Sequence, residues 1–183
     1  MRISGGKYKG QQIYSSKNDY IRPTTSKNKE YIFNLLDKFV IDARVLDLFC
    51  GSGSLGLEAA SRGARHVTFL DNSSASLRVL RQNIEKLTPA NQFSILKMDV
   101  LRFLRQNKKQ FDLIFADPPY RWNHYIELLP LAFLPENLSE YGILVLESEI
   151  KHFIEWETNI YEVFRQKKAD RSLITFFGRK NVV

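Results

Sequence analysis

Four consecutive residues have the clearest potential for chemistry: Asp117, Pro118, Pro119 and Tyr120, which follow the apolar stretch 111–116. Two prolines fix φ and remove N–H donors, so they make a stiff corner. If 111–116 is a strand, the corner lies at its carboxyl end, where open α/β sheets bind ligands. The Asp117 carboxylate and the prolyl carbonyls can accept hydrogen bonds from an amino group, and Tyr120 can stack on a flat ring. The stretch fits a strand-ending turn and a site for a planar exocyclic amine, such as one on a nucleobase, equally well.

A glycine-rich segment follows another predicted strand, 44–49. Gly51, Gly53 and Gly56 match the pattern G-x-G-x-x-G, in which the backbone approaches a ligand closely and a helix N-terminus faces it. Asp71 ends the next predicted strand, about 20 residues further on, where a carboxylate can hold both hydroxyls of a ribose. The segment therefore indicates a nucleotide-like ligand, although the glycine pattern alone is weak evidence.

Strands and helices must bring these residues together, and the apolar pattern predicts both. Strands are predicted over 44–49, 66–70, 93–96, 111–116, 142–147, 161–165 and 172–177. Because helical stretches alternate with them, we expect a mostly parallel, doubly wound α/β sheet, to which the terminal hairpin adds an antiparallel strand. Asp99, after the third strand, can meet an adenine amino group or cap the next helix, and a cap is the favoured interpretation of an isolated residue. Arg165, Lys167, Lys168 and Arg171 are predicted to lie in the turn of the hairpin.

Residues 1–22 are polar, basic and rich in tyrosine. Residues 2–4 and 11–14, separated by glycines, can pair as a hairpin. Cations interleaved with aromatic rings suit an RNA-contacting arm, and a solvated tail fits the composition as well.

A helix capped by Thr25 or Ser26 is predicted to run to residue 36. One face is predicted to carry its apolar residues, Ile32, Leu35, Leu36 and Phe39. Three cations cluster at its entrance, Arg22, Lys27 and Lys29. They suit a phosphate or a cofactor carboxylate, or form a solvated helix start.

The composition predicts one domain of 183 residues, with 1–22 as an arm and 23–183 as the catalytic core. The formal net charge is +7 and the pI about 9.5, which is typical of proteins that bind nucleic acid. Cys50 is the only cysteine, so an internal disulfide is excluded and a reducing, cytoplasmic location is expected. Because the sequence contains neither a zinc pattern, nor a signal peptide, nor an apolar run of about 18 residues, we expect no metal and no membrane contact.

Taken together, four features resemble the class I, S-adenosylmethionine-dependent methyltransferases. They are Asp47-x-x-x-Gly51-x-Gly53 and the carboxylates after the second, third and fourth strands, Asp71, Asp99 and Asp117. The stretch Asp117-Pro118-Pro119-Tyr120 is similar to the Asp/Asn-Pro-Pro-aromatic motif of enzymes that methylate planar amino nitrogens.

More narrowly, the chain resembles the RsmD family, bacterial methyltransferases for a guanine N2 in 16S ribosomal RNA. The similar segments cover nearly the full chain in the family's order: 6–10, 22–24, 30, 33–34, 46–53, 55–59, 61–64, 117–120 and 144–147. The resemblance implies a Rossmann-like sheet of seven strands with the last one antiparallel, and a short N-terminal hairpin arm. It also implies that S-adenosylmethionine lies across the carboxyl ends of the first strands.

The resemblance implies roles for individual residues as well. The catalytic group is Asp117, Pro118, Pro119 and Tyr120. The cofactor-binding group is Asp47, Phe49, Cys50, Gly51, Ser52, Gly53, Asp71, Asn72, Asp99 and Val100. Within it, Asp47 either holds the glycine loop or meets the cofactor's amino group. The RNA-binding group is Lys7, Lys9, Arg22, Lys27 and Lys29.

The chain departs from the family at five positions. The family usually has an acidic residue at Ser26, arginines at Lys27 and Lys29, and often glutamate at Asp71 and phenylalanine at Tyr120. Because lysine lacks the bidentate geometry of arginine, the departures bear on RNA contact rather than on methyl transfer.

The function that follows is methylation of a guanine N2 in 16S RNA, within a partly or fully assembled 30S subunit. Adenine N6 in DNA or RNA and a glutamine amide in a protein are alternative targets of the same chemistry. An NAD-dependent oxidoreductase and a non-catalytic RNA-binding assembly factor are alternatives of other classes. The sequence sets neither the target guanine, nor the assembly state of the substrate, nor the oligomeric state. It also leaves open whether Asp117 takes a proton or only orients the amine.

Overall fold

A computed structural model describes residues 1–15, 26–87, 92–119, 122–150 and 158–180. The helices are α1 Ser26–Leu36, α2 Ser54–Ser61, α3 Ser74–Ile84, α4 Val100–Gln106 and α5 Tyr125–Ala132, and a 3-10 helix covers Asp37–Val40. The strands are β1 Arg44–Leu48, β2 His66–Asp71, β3 Phe93–Lys97, β4 Phe111–Ala116, β5 Leu138–Glu149, β6 Tyr161–Ala169 and β7 Ser172–Arg179. Within the described ranges, no helix has the length and apolar character needed to cross a bilayer.

The strands form one seven-stranded sheet in the order β3-β2-β1-β4-β5-β7-β6. Strands β1 to β5 pair in parallel, and β7 is antiparallel to both of its neighbours, β5 and β6. This confirms the predicted doubly wound, Rossmann-like α/β fold with its last strand antiparallel. Because parallel strands end at the same edge of a sheet, the segments after β1, β2, β3 and β4 lie side by side. We call this edge the carboxyl edge and the opposite one the amino edge.

The terminal hairpin differs from the prediction in where its turn lies. Strand β6 pairs with β7 through Lys167–Ile174, Lys168–Leu173 and Ala169–Ser172. Only Asp170 and Arg171 are left for the turn, and Asp170 has the positive φ of 59° that a tight turn demands. The prediction that Arg165, Lys167 and Lys168 lie in the turn is therefore wrong, because the β7 ladder extends the strand through them.

The sheet separates two hydrophobic clusters, one on each face. One cluster joins the sheet to α1, α2, α3 and the N-terminal hairpin, and the other joins it to α4 and α5. Successive strand residues point to opposite faces, so Phe176 belongs to the first cluster and Phe177 to the second. The same alternation separates Phe115 from Ile114 on β4.

The N-terminal residues form the predicted hairpin. Arg2 and Gln12 make an antiparallel bridge, and the Ile3 N–H donates to the Gln11 carbonyl at 3.0 Å. Ile3 and Ile13 are buried in the core cluster that includes α2 and α3. The hairpin is therefore docked on the body of the protein through its apolar side chains.

Helix α1 begins at Ser26 and buries a different face from the predicted one. Ile32 and Leu36 are buried as predicted, but Leu35 is 41% exposed and Phe33 takes its place in the core. The prediction for Leu35 is wrong because the helix is rotated toward the Phe33 side, where the Phe33 and Phe115 rings pack at 5.6 Å. This rotation also buries Asn28 and Lys29.

Candidate active site at the carboxyl edge

The turn after β1 has the backbone geometry of a ligand-binding loop. Phe49, Gly51 and Gly53 have positive φ values of 58°, 54° and 84°, and the Gly53 N–H closes the turn on the Cys50 carbonyl at 2.7 Å. A Cβ added to Gly51 would meet only the Phe49 carbonyl oxygen, at 4.0 Å. The space in front of Gly51 is thus open, whereas a Cβ on Gly53 would lie 2.4 Å from the Leu80 side chain.

The third glycine of the pattern serves packing rather than ligand contact. A Cβ on Gly56 would lie 2.3 Å from the Phe69 ring and 2.9 Å from Asp47 Oδ2. The Gly56 N–H donates to the same Asp47 oxygen at 2.9 Å. Of the two roles considered for Asp47, the structure therefore contains the first: this carboxyl group anchors the helix that follows the glycine loop.

Burial controls the ionisation of the groups beneath the loop. It raises the pKa of Asp47 to about 7, opposed by the Gly56 N–H and reinforced by the negative charge of Asp71. Burial also raises the pKa of the Cys50 thiol well above its usual value, and the charges of Asp47 and Asp71 add to the effect. Cys50 therefore contributes to the loop as a neutral, buried side chain.

Asp71 links the ends of β1 and β2. Its Oδ2 accepts the Gly51 N–H at 2.9 Å, and its Oδ1 accepts the Ser73 N–H at 2.8 Å. Asn72, between them, is exposed. A carboxylate has about four lone-pair sites, so each oxygen of Asp71 keeps acceptor capacity after these bonds.

Asp99 caps α4, which confirms the favoured interpretation of this residue. Its Oδ1 accepts the Arg102 N–H at 2.9 Å, and its backbone is extended as an N-cap requires. The carboxylate is exposed and Val100 is buried behind it. Both residues lie at the carboxyl edge, in line with Asp71 and the glycine loop.

The Asp-Pro-Pro corner comes directly after β4. Leu48 pairs with Ala116, so Asp117 follows β4 beside the start of the glycine loop. Asp117 is half-buried, Pro118 is buried and Pro119 is exposed. The Pro119 carbonyl accepts the Trp122 N–H at 2.8 Å, which closes the corner. Tyr120 lies outside the described residues.

An aromatic cluster lines the corner. Trp122 packs edge-on against Phe49 at 5.0 Å and against Tyr125 at 5.2 Å, and the His124 ring lies 5.6 Å from Trp122. Burial, followed by the negative charges of Glu149 and Asp117, raises the pKa of Tyr125 to about 12. The aromatic cluster is partly core, since Tyr125 is buried while Trp122 is half-buried.

The predicted RNA-binding lysines differ in accessibility. Lys7, Lys9 and Lys27 are exposed, and Arg22 lies outside the described residues. Lys29 is only 2% exposed: its Nζ lies 3.0 Å from Glu58 Oε2 and donates to the Arg2 carbonyl at 2.7 Å. The expectation that Lys29 contacts RNA is therefore wrong, because a buried carboxylate holds its ammonium inside the protein.

Two buried polar residues join the N-terminal hairpin to the site, and the sequence prediction missed both. Glu58 on α2 accepts the Ser4 N–H at 2.8 Å and the Ser4 hydroxyl at 2.7 Å. Asn83 on α3 accepts the Tyr14 N–H at 2.7 Å and donates to the carbonyls of Tyr14 and Ser52 at 3.0 and 2.9 Å. The one signal in the sequence was position, because Asn83 follows Leu80 by three residues on an otherwise apolar helix face.

A cavity of about 770 Å³ lies at the other end of the sheet. Its lining comes from the starts of β1, β2 and β4 and includes Arg44, His66, Lys108 and Lys109. Arg44 is paired with Asp112, with 2.9 Å between Nη2 and Oδ1. This cavity belongs to the amino edge and contains none of the predicted site residues.

The glycine loop, the aligned carboxylates and the Asp-Pro-Pro corner lie at one edge of a sheet that has the class I methyltransferase fold. The structure is similar to that of yhhF from Escherichia coli, with a TM-score of 0.87 and 30% identity over 98% of each chain. The family model described as Conserved hypothetical protein 95 matches residues 1–178, so the chain belongs to this family, the RsmD family of the sequence resemblance.

The curated relatives include proteins with a functional name. Ribosomal RNA small subunit methyltransferase D from Escherichia coli is 30% identical over 182 residues, which covers 98% of this chain and 90% of that protein. The protein of the same name from Haemophilus influenzae is 33% identical over 152 residues, which covers 81% of this chain and 79% of that protein.

Proposed function

We propose that this protein methylates the exocyclic N2 of a guanine in 16S ribosomal RNA, with S-adenosylmethionine as the methyl donor. The observation that carries the proposal is the pairing of Leu48 with Ala116, which sets the Asp117–Pro119 corner beside an open glycine loop. The name of the two relatives, ribosomal RNA small subunit methyltransferase D, supports RNA as the substrate.

The residues at the carboxyl edge fit this cofactor. A ligand can approach the backbone at Gly51 because no side chain of the described residues fills the space in front of it. Asp71 retains lone pairs for the hydroxyls of a ribose, and the exposed carboxylate of Asp99 can accept from an adenine amino group. When bound, S-adenosylmethionine supplies an electrophilic methyl group.

The Asp-Pro-Pro corner orients the amine. An exocyclic amino nitrogen is a poor nucleophile, because its lone pair is delocalised into the ring. The Asp117 carboxylate and the Pro118 carbonyl accept its two N–H groups, aim the lone pair and stabilise the positive charge that grows on nitrogen. The Pro119 carbonyl already accepts the Trp122 N–H, so Pro118 supplies the second acceptor. Asp117 acts here as an orienting acceptor. The nitrogen would form a bond to the methyl carbon as the bond between that carbon and the cofactor's sulfur breaks, which would release S-adenosylhomocysteine. The proton of the amine would pass to water after the transfer.

The base must leave its stack to reach this corner. Unstacking costs a few kcal/mol, which contact with an aromatic ring offsets in part. Tyr120 is the ring assigned to stack on the guanine, with Trp122 and Phe49 beside the corner. Holding both reactants in line supplies much of the rate. A 30S subunit or its precursor in the cytoplasm is the proposed setting, because the exposed cations on the protein suit the phosphates of RNA.

Asp117→Ala and Asp117→Asn test the assignment. We expect methyl transfer by Asp117→Ala to fall about 100- to 1,000-fold, as when one charge-stabilising group is removed from an active site. Asp117→Asn keeps an oxygen that accepts from the amine, so we expect it to lose less activity. Binding of S-adenosylhomocysteine and the unfolding temperature should stay near wild type. Glu136→Ala, which removes an exposed carboxylate at the amino edge, is the matched control. Wild-type turnover by a folded, cofactor-binding Asp117→Ala protein would refute the role of this residue.

The target is tested with methyl-labelled cofactor, unmodified 30S particles and naked 16S RNA, followed by digestion to nucleosides. Label in N2-methylguanosine is the expected result. Label in N6-methyladenosine would agree with the proposed methyl transfer but would refute guanine as the target base. Binding of NAD in place of S-adenosylmethionine would reject the class of reaction.

A further inference from the structure

A second group of cations lies beside α1, and of these only Lys27 belongs to the RNA-binding group that was predicted from the sequence. Arg165 Nε donates to the Tyr31 hydroxyl at 3.2 Å, and Lys167 Nζ lies 3.9 Å from the centre of the same ring. Lys27 is one helical turn before Tyr31 and is exposed. Arg171 is exposed in the turn between β6 and β7. We call these five residues, Lys27, Tyr31, Arg165, Lys167 and Arg171, the basic face.

The basic face adjoins the carboxyl edge. The Ile150 N–H, just after β5, donates to the Arg171 carbonyl at 3.2 Å, and the Ser172 hydroxyl donates to Glu147 at 2.7 Å. Asn28, near the start of α1, donates to the same Glu147 carboxylate at 3.5 Å. The start of α1, the end of β5 and the hairpin turn therefore meet at the edge where Asp117 lies.

The cations of the basic face are not neutralised within the described part of the chain, where none forms an ion pair with a carboxylate. At the amino edge and on α4, in contrast, Arg44, Arg65 and Arg105 pair with Asp112, Asp42 and Glu127. Lysines on an edge strand can also serve to block strand pairing between molecules. That role requires charge alone and gives no reason for two cations to converge on one aromatic ring.

We propose that the basic face binds the RNA that carries the target base. Guanidinium and ammonium groups recognise phosphate oxygens, and an aromatic ring among them can contact an unstacked base. An RNA strand whose guanine reaches Asp117 must cross the carboxyl edge, and the basic face extends this edge along α1 and β6. The inference rests on the proposed function, because it assumes an RNA substrate at the Asp117 corner.

The test compares two double variants that each remove two positive charges. Arg165→Gln with Lys167→Gln removes cations from the basic face, and Lys108→Gln with Lys109→Gln removes two exposed lysines at the amino edge. Binding to 16S RNA is measured over a range of salt concentrations. Methyl transfer is measured as KM and kcat, and S-adenosylhomocysteine binding is measured on every protein. Arg171→Gln repeats the test with a turn residue whose side chain forms no hydrogen bond or ion pair with the described residues.

We expect the basic-face variants to bind RNA about tenfold more weakly at about 0.1 M salt. The slope of affinity against salt should become shallower by about 0.7–0.9 for each phosphate that the variant no longer neutralises. KM for RNA should rise while kcat and cofactor binding stay unchanged, and the amino-edge variant should resemble wild type.

Equal weakening by both double variants would overturn the inference, because net charge alone would then explain binding. Wild-type RNA affinity in the basic-face variants would overturn it as well, while leaving the proposed function intact if methyl transfer persists. A wild-type protein that methylates no RNA would instead refute the proposed function.

Discussion

Helix α2 carries one buried carboxyl group, Glu58, and its first turn contacts another, Asp47. The two groups have opposite environments. Glu58 is fully buried, with Lys29 and Ser4 around it; burial opposes its ionisation, but these partners outweigh burial and hold its pKa below the usual value. Asp47 is 2% exposed and accepts the Gly56 N–H, with the negative Asp71 nearby, and burial raises its pKa to about 7. One carboxylate is compensated by a cation of the protein and the other is not.

The difference corresponds to different tasks. Glu58 fastens the N-terminal hairpin and α1 to α2, and a buried ion pair is stable only when its remaining lone pairs are satisfied, as they are here by Ser4 and Arg62. Asp47 and Asp71 support the glycine loop, where the proposed cofactor carries positive charge. The negative charge of Glu58 is therefore neutralised by cations of the protein, whereas the glycine loop retains negative charge.

Removing the ammonium group that pairs with Glu58 should have the largest effect on stability. Lys29→Ala leaves Glu58 buried without its ammonium partner, and we expect a loss of about 3–5 kcal/mol in the free energy of unfolding. Urea denaturation at neutral pH measures it. Arg65→Ala is the control: its pair with Asp42 has side chains 63% and 65% exposed, so solvent screens the pair and breaking it should cost far less than breaking the Lys29 pair. Equal losses in the two variants would mean that Lys29 contributes no more than a surface pair.

The raised pKa of Asp47, beneath the glycine loop, should make the stability of the protein depend on pH. The folded protein holds the Asp47 proton up to about pH 7, whereas the unfolded chain releases it near 3.8. Stability therefore falls as pH rises across this window, by at most about 4 kcal/mol from this group. Asp47→Asn keeps an acceptor for Gly56 and removes the titration, so the difference in unfolding free energy between variant and wild type should grow across the same window. A constant difference would refute the raised pKa.

Removing Asn83, which links the N-terminal hairpin to the glycine loop, should have an intermediate effect on stability. Asn83→Ala leaves the Tyr14 N–H and the carbonyls of Tyr14 and Ser52 without their partner, so we expect a loss of about 2 kcal/mol. Hydrogen exchange of the Tyr14 amide should accelerate, and affinity for S-adenosylhomocysteine should fall through the Ser52 loop. Gln82→Ala, an exposed neighbour on α3, should leave all three properties unchanged. Unchanged exchange at Tyr14 would show that Asn83 does not fasten this end of the hairpin.

Removing the exposed carboxylate of Asp99 should have the smallest effect on stability. Asp99→Ala removes the N-cap of α4 and should cost about 1 kcal/mol of stability, whereas Asp99→Asn can still cap and should cost much less. Thermal unfolding measures both. Affinity for the cofactor separates the two roles of the residue: a cap alone predicts no effect of Asp99→Asn, and an adenine contact predicts weaker binding.

Local patterns predicted the elements that the core requires. Apolar runs such as 111–116 and 44–48 are strands because a parallel strand is buried on both faces, and this leaves a continuous signature in sequence. The positions of the glycines and of the carboxylates at the strand ends could also be predicted, because turns and strand ends impose local constraints on residue type. The roles proposed for them toward a ligand remain predictions.

The errors lie where a distant partner decides the outcome. Leu35 and Phe33 are both apolar and lie two residues apart on α1, and packing against Phe115 selects between them. Lys167 and Lys168 have the composition of turn residues, but pairing with β7 draws them into a strand.

The amino-acid sequence alone was enough to predict the order of strands and helices, the glycine loop and the stiff corner, because these depend on residues close together in the chain. The burial of Lys29, the support that Asp47 gives to a helix and the bridge that Asn83 makes between hairpin and loop emerged only from the folded chain. Each of these outcomes depends on partners outside the local segment, as Lys29 on α1 depends on Glu58 on α2. Burial and hydrogen bonding between such partners are set by packing of the whole chain, and no local pattern encodes them.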